Sequence, residues 1–230
     1  MKRNMMNWVD EVLAMPCKKP FPVLSFPAVQ KMGITVKELI SSSDRQAEGM
    51  KIIADDTDAA AAVSLMDLSL EAEAFGSAVR FSDDEVPTVM GSIVHTEEDA
   101  AALKVPEIGA GRTGIYIEAI EKAVRLIDDR PIFAGVIGPF SLAGRLMDVS
   151  SAMIYCFDEP DMVHIVLEKA SEFIIRYCKA YKDAGANGVL MAEPLAGLLS
   201  PALAEEFSSR YVKKIIDAVQ DENFLVAYHN

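Results

Sequence analysis

Several things are scarce in this chain. Its 230 residues hold three cysteines (Cys17, Cys156 and Cys178), three histidines and one tryptophan. Three widely spaced cysteines with no CxxC pair exclude a disulfide framework and suit a reducing compartment. Positive charge is short as well: Lys plus Arg is 22 against 35 for Asp plus Glu, a net charge of −13. So acidic a surface repels phosphate backbones and anionic lipid, so neither nucleic acid nor membrane is expected as a partner. No apolar run nears the ~18 residues of a spanning helix. Asp10 and Glu11 interrupt any signal-peptide core behind the early cations, and a cytoplasmic protein is expected. No repeat, low-complexity tract or flexible linker divides the chain. What is present, 51% apolar and 25% charged residues, is ordinary globular composition.

The pattern along the chain is strands alternating with helices. An N-terminal helical segment covers about 1–19, with Trp8, Val9, Val12 and Leu13 as its apolar stripe. Five apolar runs predict strands: 20–26, 61–66, 132–137, 188–192 and 224–229. Helices are predicted over 42–53, 115–127, 160–184 and about 200–219, and Thr96 caps a short helix whose first turn carries Glu97, Glu98 and Asp99. Residues 76–94 predict a β excursion with an acidic turn at 82–85. Continuous apolar strands such as IFAGVI are those buried on both faces of a parallel sheet. The alternation therefore predicts a parallel α/β sheet of the (β/α)8 TIM-barrel type, as one domain over 1–230. A closed barrel needs eight strands, so the chain is expected to lack the last third of the fold. Open sheet edges then make self-association an expectation.

In such folds the chemistry lies at the C-terminal ends of the strands. Asp67 follows the second predicted strand, with Glu71 and Glu73 behind it, and is a candidate acid or base. Glu193 follows GVLMA among apolar neighbours, where a carboxylate has either a partner or a purpose. In IFAGVIGPFSLAGRLMD, Gly138, Pro139 and Phe140 open a helix whose free N–H groups, with Arg145 a turn or so later, suit an anionic group; the alternative is a βα turn needing Gly for its shape. GAGRTG (109–114) matches G-x-G-x-x-G, but Pro106 breaks the preceding segment, so a glycine-rich loop before a helix is the better reading. His229 stands at the tip of the last strand; His95 and His164 read as solvated or structural. No second ligand with zinc spacing accompanies them.

Together these segments resemble the uroporphyrinogen decarboxylase superfamily. The resemblance rests on DLSLEAEAFGSAVRF followed by EVPTV, on GPFSLAGRLMD, on DAGANGVLMAEPLAGLLSPALAEEF and on the terminal VAYHN. It is closer to the methyltransferase branch, zinc enzymes that move a methyl group from a methylcorrinoid protein to a thiol such as coenzyme M. The arginine-rich signature of the decarboxylase proper is replaced by SFPAVQKMGIT. The resemblance implies that His229 is the histidine of a zinc-binding His-x-Cys pair, whose cysteine would stand one position beyond Asn230. It implies Glu193 as a further active-face contact, and residues 138–140 and Asp67 as shaping the barrel mouth. The expected partners are a corrinoid protein or free methylcobalamin and a small thiol. Two other readings stay open: a metal-independent decarboxylase in which Asp67 or Glu193 handles a substrate proton, and a non-catalytic truncated barrel that binds a corrinoid protein.

Overall fold

The apolar runs 132–137 and 188–192 become the centre of the sheet. In the computed structural model, which describes residues 3–24 and 26–230, every residue of both strands is buried. In chain order the elements are α1 (Met5–Ala14), α2 (Pro27–Met32), α3 (Val36–Ile40), α4 (Ser43–Asp56), β1 (Ala62–Val63), α5 (Leu70–Ala74), β2 (Ala78–Arg80), β3 (Thr88–Met90), α6 (Glu97–Ala102), α7 (Thr113–Leu126), β4 (Ile132–Ile137), α8 (Pro139–Met147), α9 (Val149–Asp158), α10 (Pro160–Asp183), β5 (Gly188–Ala192), α11 (Pro201–Ala204), α12 (Arg210–Val219) and β6 (Leu225–His229). Four strands form one parallel sheet in the order β1-β4-β5-β6.

The expected strand at 20–26 does not form among the described residues, and Ser25 lies outside them. Pro20 and Pro22 have no N–H to give a ladder. The segment runs beside β1 through one bond, Ala60 N–H to the Pro20 carbonyl at 2.8 Å. The strand expected at 61–66 shrinks to two residues because the Ser64 hydroxyl takes the Gly135 N–H (2.9 Å) in place of a backbone carbonyl. The β excursion is a hairpin, β2 antiparallel to β3, with Val79 opposite Val89.

The two faces of the sheet bury different residues. Ala134, Val136, Val189 and Met191 point to the helical layer, which is built on α10 and its buried Phe173, Ile174, Tyr177 and Tyr181. The other face is the lumen, where Val63, Phe133 and Leu190 pack with Leu225 and Ala227. Gly188 makes room there: a Cβ on it would lie 2.5 Å from the Phe133 ring. At the N-terminal end of the strands, α1 closes the lumen floor. Its Met5 is fully buried, and Trp8 and Phe21 meet the Phe133 ring at 5.8 and 4.9 Å between centroids. The helix expected over 200–219 is continuous but not uniform. Residues 205–209 make a single π turn between α11 and α12.

Candidate active face at the strand ends

The first cluster is built around Asp67, just past β1. Its side chain is almost wholly buried and both oxygens are engaged. Oδ2 accepts from Arg112 Nη1 at 2.6 Å and from the Tyr116 hydroxyl at 3.0 Å; Oδ1 accepts from the Ser69 amide (3.0 Å) and hydroxyl (2.6 Å). Arg112 also donates from Nε to Glu73 at 2.7 Å and lies 5.0 Å from the Phe81 ring of the hairpin segment. Arg112 belongs to the 109–114 loop, so that loop ties α7 to the end of β1 and the better reading of GAGRTG, a glycine-rich loop, holds. Gly111 is needed for the approach: its φ is +56°, and a Cβ would lie 3.3 Å from Glu73 Cγ. Arg112 itself escaped the sequence reading, although an arginine among the loop glycines was the available signal.

The second cluster joins two motifs that read separately in the sequence. Glu193 follows β5 and is fully buried. Its Oε1 accepts from the Phe140 N–H at 2.7 Å, the Ser141 N–H at 3.3 Å and the Ser208 hydroxyl at 3.2 Å; Oε2 accepts from the Ser141 N–H at 3.3 Å. The acceptor at the start of α8 is thus the chain's own carboxyl group, and the external group expected at 138–140 finds those N–H groups taken. Gly138 is glycine for this reason, since a Cβ would fall 1.7 Å from Glu193 Oε2. Six residues on, Gly144 leaves space for Leu195, and the Ser141 hydroxyl accepts the Leu195 N–H at 3.2 Å. The π turn presents Ser208, a displacement typical of such turns at functional sites. Burial pushes the Glu193 carboxyl up to about 7 despite these donors. Glu71, buried in α5, accepts the Ile137 N–H (3.0 Å) through Oε1 while Oε2 has no partner, and burial raises it to about 7 as well.

The mouth of the lumen lies above these clusters. His229 ends β6 on the same side as Leu225 and Ala227, opposite Ala192 in register. It is exposed, and among the described residues its imidazole has no hydrogen-bond partner. Its backbone belongs to the β5–β6 ladder, and its carbonyl accepts the Glu193 N–H at 2.8 Å. Arg145 separates from residues 138–140 and lines a cleft of about 270 Å³ with Asp67, Ser69 and Thr88. His164 stacks on Phe207 at 4.7 Å and bonds the Tyr211 hydroxyl at 2.8 Å, a structural role. Burial raises both the Cys156 and Cys178 thiols, Cys156 to about 11. Among the described residues no three of His, Cys, Asp and Glu come together as a metal site. His229 is a single donor, and Glu193, expected as a further contact, has both oxygens committed. These residues alone do not fit zinc.

The profile of the uroporphyrinogen decarboxylase (URO-D) family matches residues 17–230. The chain belongs to the uroporphyrinogen decarboxylase family. Among curated relatives it is 31% identical over 159 residues to the methylcobamide:CoM methyltransferase MtbA of Methanosarcina acetivorans, covering 67% of this chain and 47% of that protein. It is 28% identical over 170 residues to the uroporphyrinogen decarboxylase of Hydrogenovibrio crunogenus, covering 71% and 48%. The chain spans about half the length of these relatives. A solved methyltransferase from Methanosarcina mazei superposes with a TM-score of 0.84 at 22% identity, over 100% of this chain and 69% of that one. That likeness shows the fold, and the sheet is an arc of a TIM-type barrel, as expected from the strand and helix alternation. Among the described residues no helix is long and apolar enough to cross a membrane. Within this URO-D domain, GPFSLAGRLMD and AEPLAG are two halves of one interlock, held by Glu193 and Leu195.

Proposed function

We propose that the chain takes part in methyl transfer from a methylated corrinoid to a thiol such as coenzyme M. The observation that carries this is His229, an unpartnered imidazole on the lumen face at the strand ends. The acceptor is a thiol that loses its proton, and the thiolate then attacks the methyl carbon. An S–CH3 bond forms, the Co–C bond breaks, and its electron pair stays with cobalt, which goes from Co(III) to Co(I). The chain's contribution is positional. Glu193 and Asp67 hold the turns that frame the mouth, and the His229 imidazole stands there to accept the thiol proton. Zinc comes with the family resemblance, but the described residues do not complete a site for it, and no step is routed through it.

A decarboxylase reading finds less support. Asp67 and Glu193 are buried and fully hydrogen-bonded, so neither is free to take a substrate proton. The guanidinium of Arg112 is already matched by Asp67 and Glu73. That leaves Arg145 as the cation of the cleft, whereas a polycarboxylate needs several.

The test is methylcobalamin with 2-mercaptoethanesulfonate, with and without added zinc, on the natural gene product carrying this chain. Loss of the methylcobalamin spectrum and a methyl thioether by mass spectrometry are expected. His229→Ala is expected to abolish both while changing the unfolding free energy in urea by no more than ~0.5 kcal/mol, as its side chain is exposed. Carbon dioxide release from uroporphyrinogen without demethylation favours the decarboxylase. Neither activity in a folded protein favours a non-catalytic barrel that binds a corrinoid protein.

A further inference from the structure

Arg145 stands apart from the other arginines that carry structure in this chain. Arg112, Arg130 and Arg176 each meet a carboxylate. Arg145 is half-buried on α8 and has neither an ion pair nor a hydrogen bond among the described residues. A guanidinium partly withdrawn from water without a counter-ion is costly unless something supplies one. It faces the cleft of about 270 Å³ between the end of β1 and the β2–β3 hairpin. We infer that this cleft binds the anionic end of a small organic molecule, a carboxylate, sulfonate or phosphate on a short apolar stem, with Arg145 as the recognising cation.

The surroundings fit that chemistry. Met66, Leu68, Val86, Pro87 and Val89 give apolar walls for a stem, and the Thr88 hydroxyl stands among them as a second polar group. Asp67 also borders the cleft, but its side chain is almost wholly buried and its charge is matched by Arg112, so it does not cancel Arg145. Among the residues lining the cleft Asp67 is the one carboxylate, and the same arginine also holds Glu73. The volume sets the size of the ligand. Sites for drug-sized ligands run from ~300 to 1,000 Å³, so the volume of this one suits a small molecule. A single free cation selects one anionic group. On the methyl-transfer reading, on which only this assignment rests, the cleft holds the charged end of the acceptor.

The test is binding alone, without corrinoid or metal, so it succeeds or fails separately from methyl transfer. Propane-1-sulfonate is titrated into the chain by ligand-observed NMR beside methyl propyl sulfone, its neutral isostere. Propanoate and propyl phosphate distinguish the kinds of oxyanion. Saturable binding of at least one anion, at least tenfold weaker sulfone binding, a tenfold loss in Arg145→Gln and partial retention in Arg145→Lys are expected. Among the described residues Arg145 has no partner to lose, so both variants should keep the wild-type circular dichroism and melt no lower than wild type. Equal binding of the sulfone, unchanged anion binding in Arg145→Gln, or no saturable binding of any of the three anions up to tens of millimolar overturns the inference.

Discussion

Replacing Glu193 by Gln is expected to stabilise the chain at pH 8 and to leave it nearly unchanged at pH 5. Loss of hydration raises this carboxyl from 4.5 to about 7, outweighing the donors from Phe140, Ser141 and Ser208. Between those pH values the folded chain keeps a proton that the unfolded chain has released. Stability falls with rising pH wherever the folded state binds more protons. This contribution is therefore complete below about pH 4.5 and lost as the pH passes 7. The rise from 4.5 to about 7, at ~1.4 kcal/mol per pH unit, corresponds to about 3 kcal/mol at alkaline pH. Glutamine has the shape of the neutral acid, can still accept the Phe140 N–H and cannot ionise. Urea denaturation of both proteins is expected to agree within ~1 kcal/mol at pH 5 and to favour the variant by about 2–3 kcal/mol at pH 8. Glu71, raised in the same direction, is present in both proteins and cancels. Glu193→Ala should be destabilised at both pH values, since each of its three buried donors then lacks an acceptor at ~1–3 kcal/mol apiece. A glutamine variant less stable than wild type at pH 8 would show that the folded state prefers the carboxylate, and the desolvation argument would fall.

Three further outcomes follow from the packing. Gly138→Ala places a methyl 1.7 Å from Glu193 Oε2 and is expected to cost about 3 kcal/mol or more. Combining it with Glu193→Ala should recover at least ~1 kcal/mol of the summed losses in a double-mutant cycle, and strict additivity would count against the clash. Arg112→Met leaves Asp67 buried without its cation and is expected to lower stability by ~3–5 kcal/mol in the same urea assay; a loss below ~1 kcal/mol would mean the pair is not buried as described. Phe133→Ala empties the lumen floor at ~3–5 kcal/mol and should shift Trp8 emission to the red, because the two rings lie 5.8 Å apart. An unchanged spectrum would mean that α1 does not seat on that floor.

The central strands were legible because IFAGVI and GVLMA are apolar throughout, a pattern that solvent-facing strands do not show. The long helix α10 was legible from its apolar period and from Pro160 and Gly185 at its ends. The strand expected at 20–26 was not, because Phe21 fills the lumen floor from irregular chain and the prolines deny the segment a ladder. The short helices α2, α3, α5 and α9 went unread. One of them carried a usable signal, the Thr35–Glu38 capping box, in which the Glu38 N–H donates to the Thr35 hydroxyl at 3.1 Å. Asp67 and Glu193 were visible as strand-end residues, but their roles depend on partners 45 and 53 positions away. Neither motif spacing nor periodicity carries that information. The pairing of Glu193 with the start of α8 was written in Gly138 only for a reader who already knew which side chain lay above it.

The π turn makes residues 201–219 a stretch with two helical frames. Leu203, Phe207, Tyr211, Ile215 and Val219 recur at a strict interval of four, and on an α-helix each such step drifts by ~40°. Unbroken, that drift carries the row off the core within a few turns; the wider turn at 205–209 resets it. Removing one residue there would join the frames into a single α-helix and rotate one half by ~100° against the other. Either Ser208 would leave Glu193 or the core row would leave α10. The segment therefore tolerates substitution far better than deletion, and an aligned relative lacking that residue should lack the carboxylate lock as well.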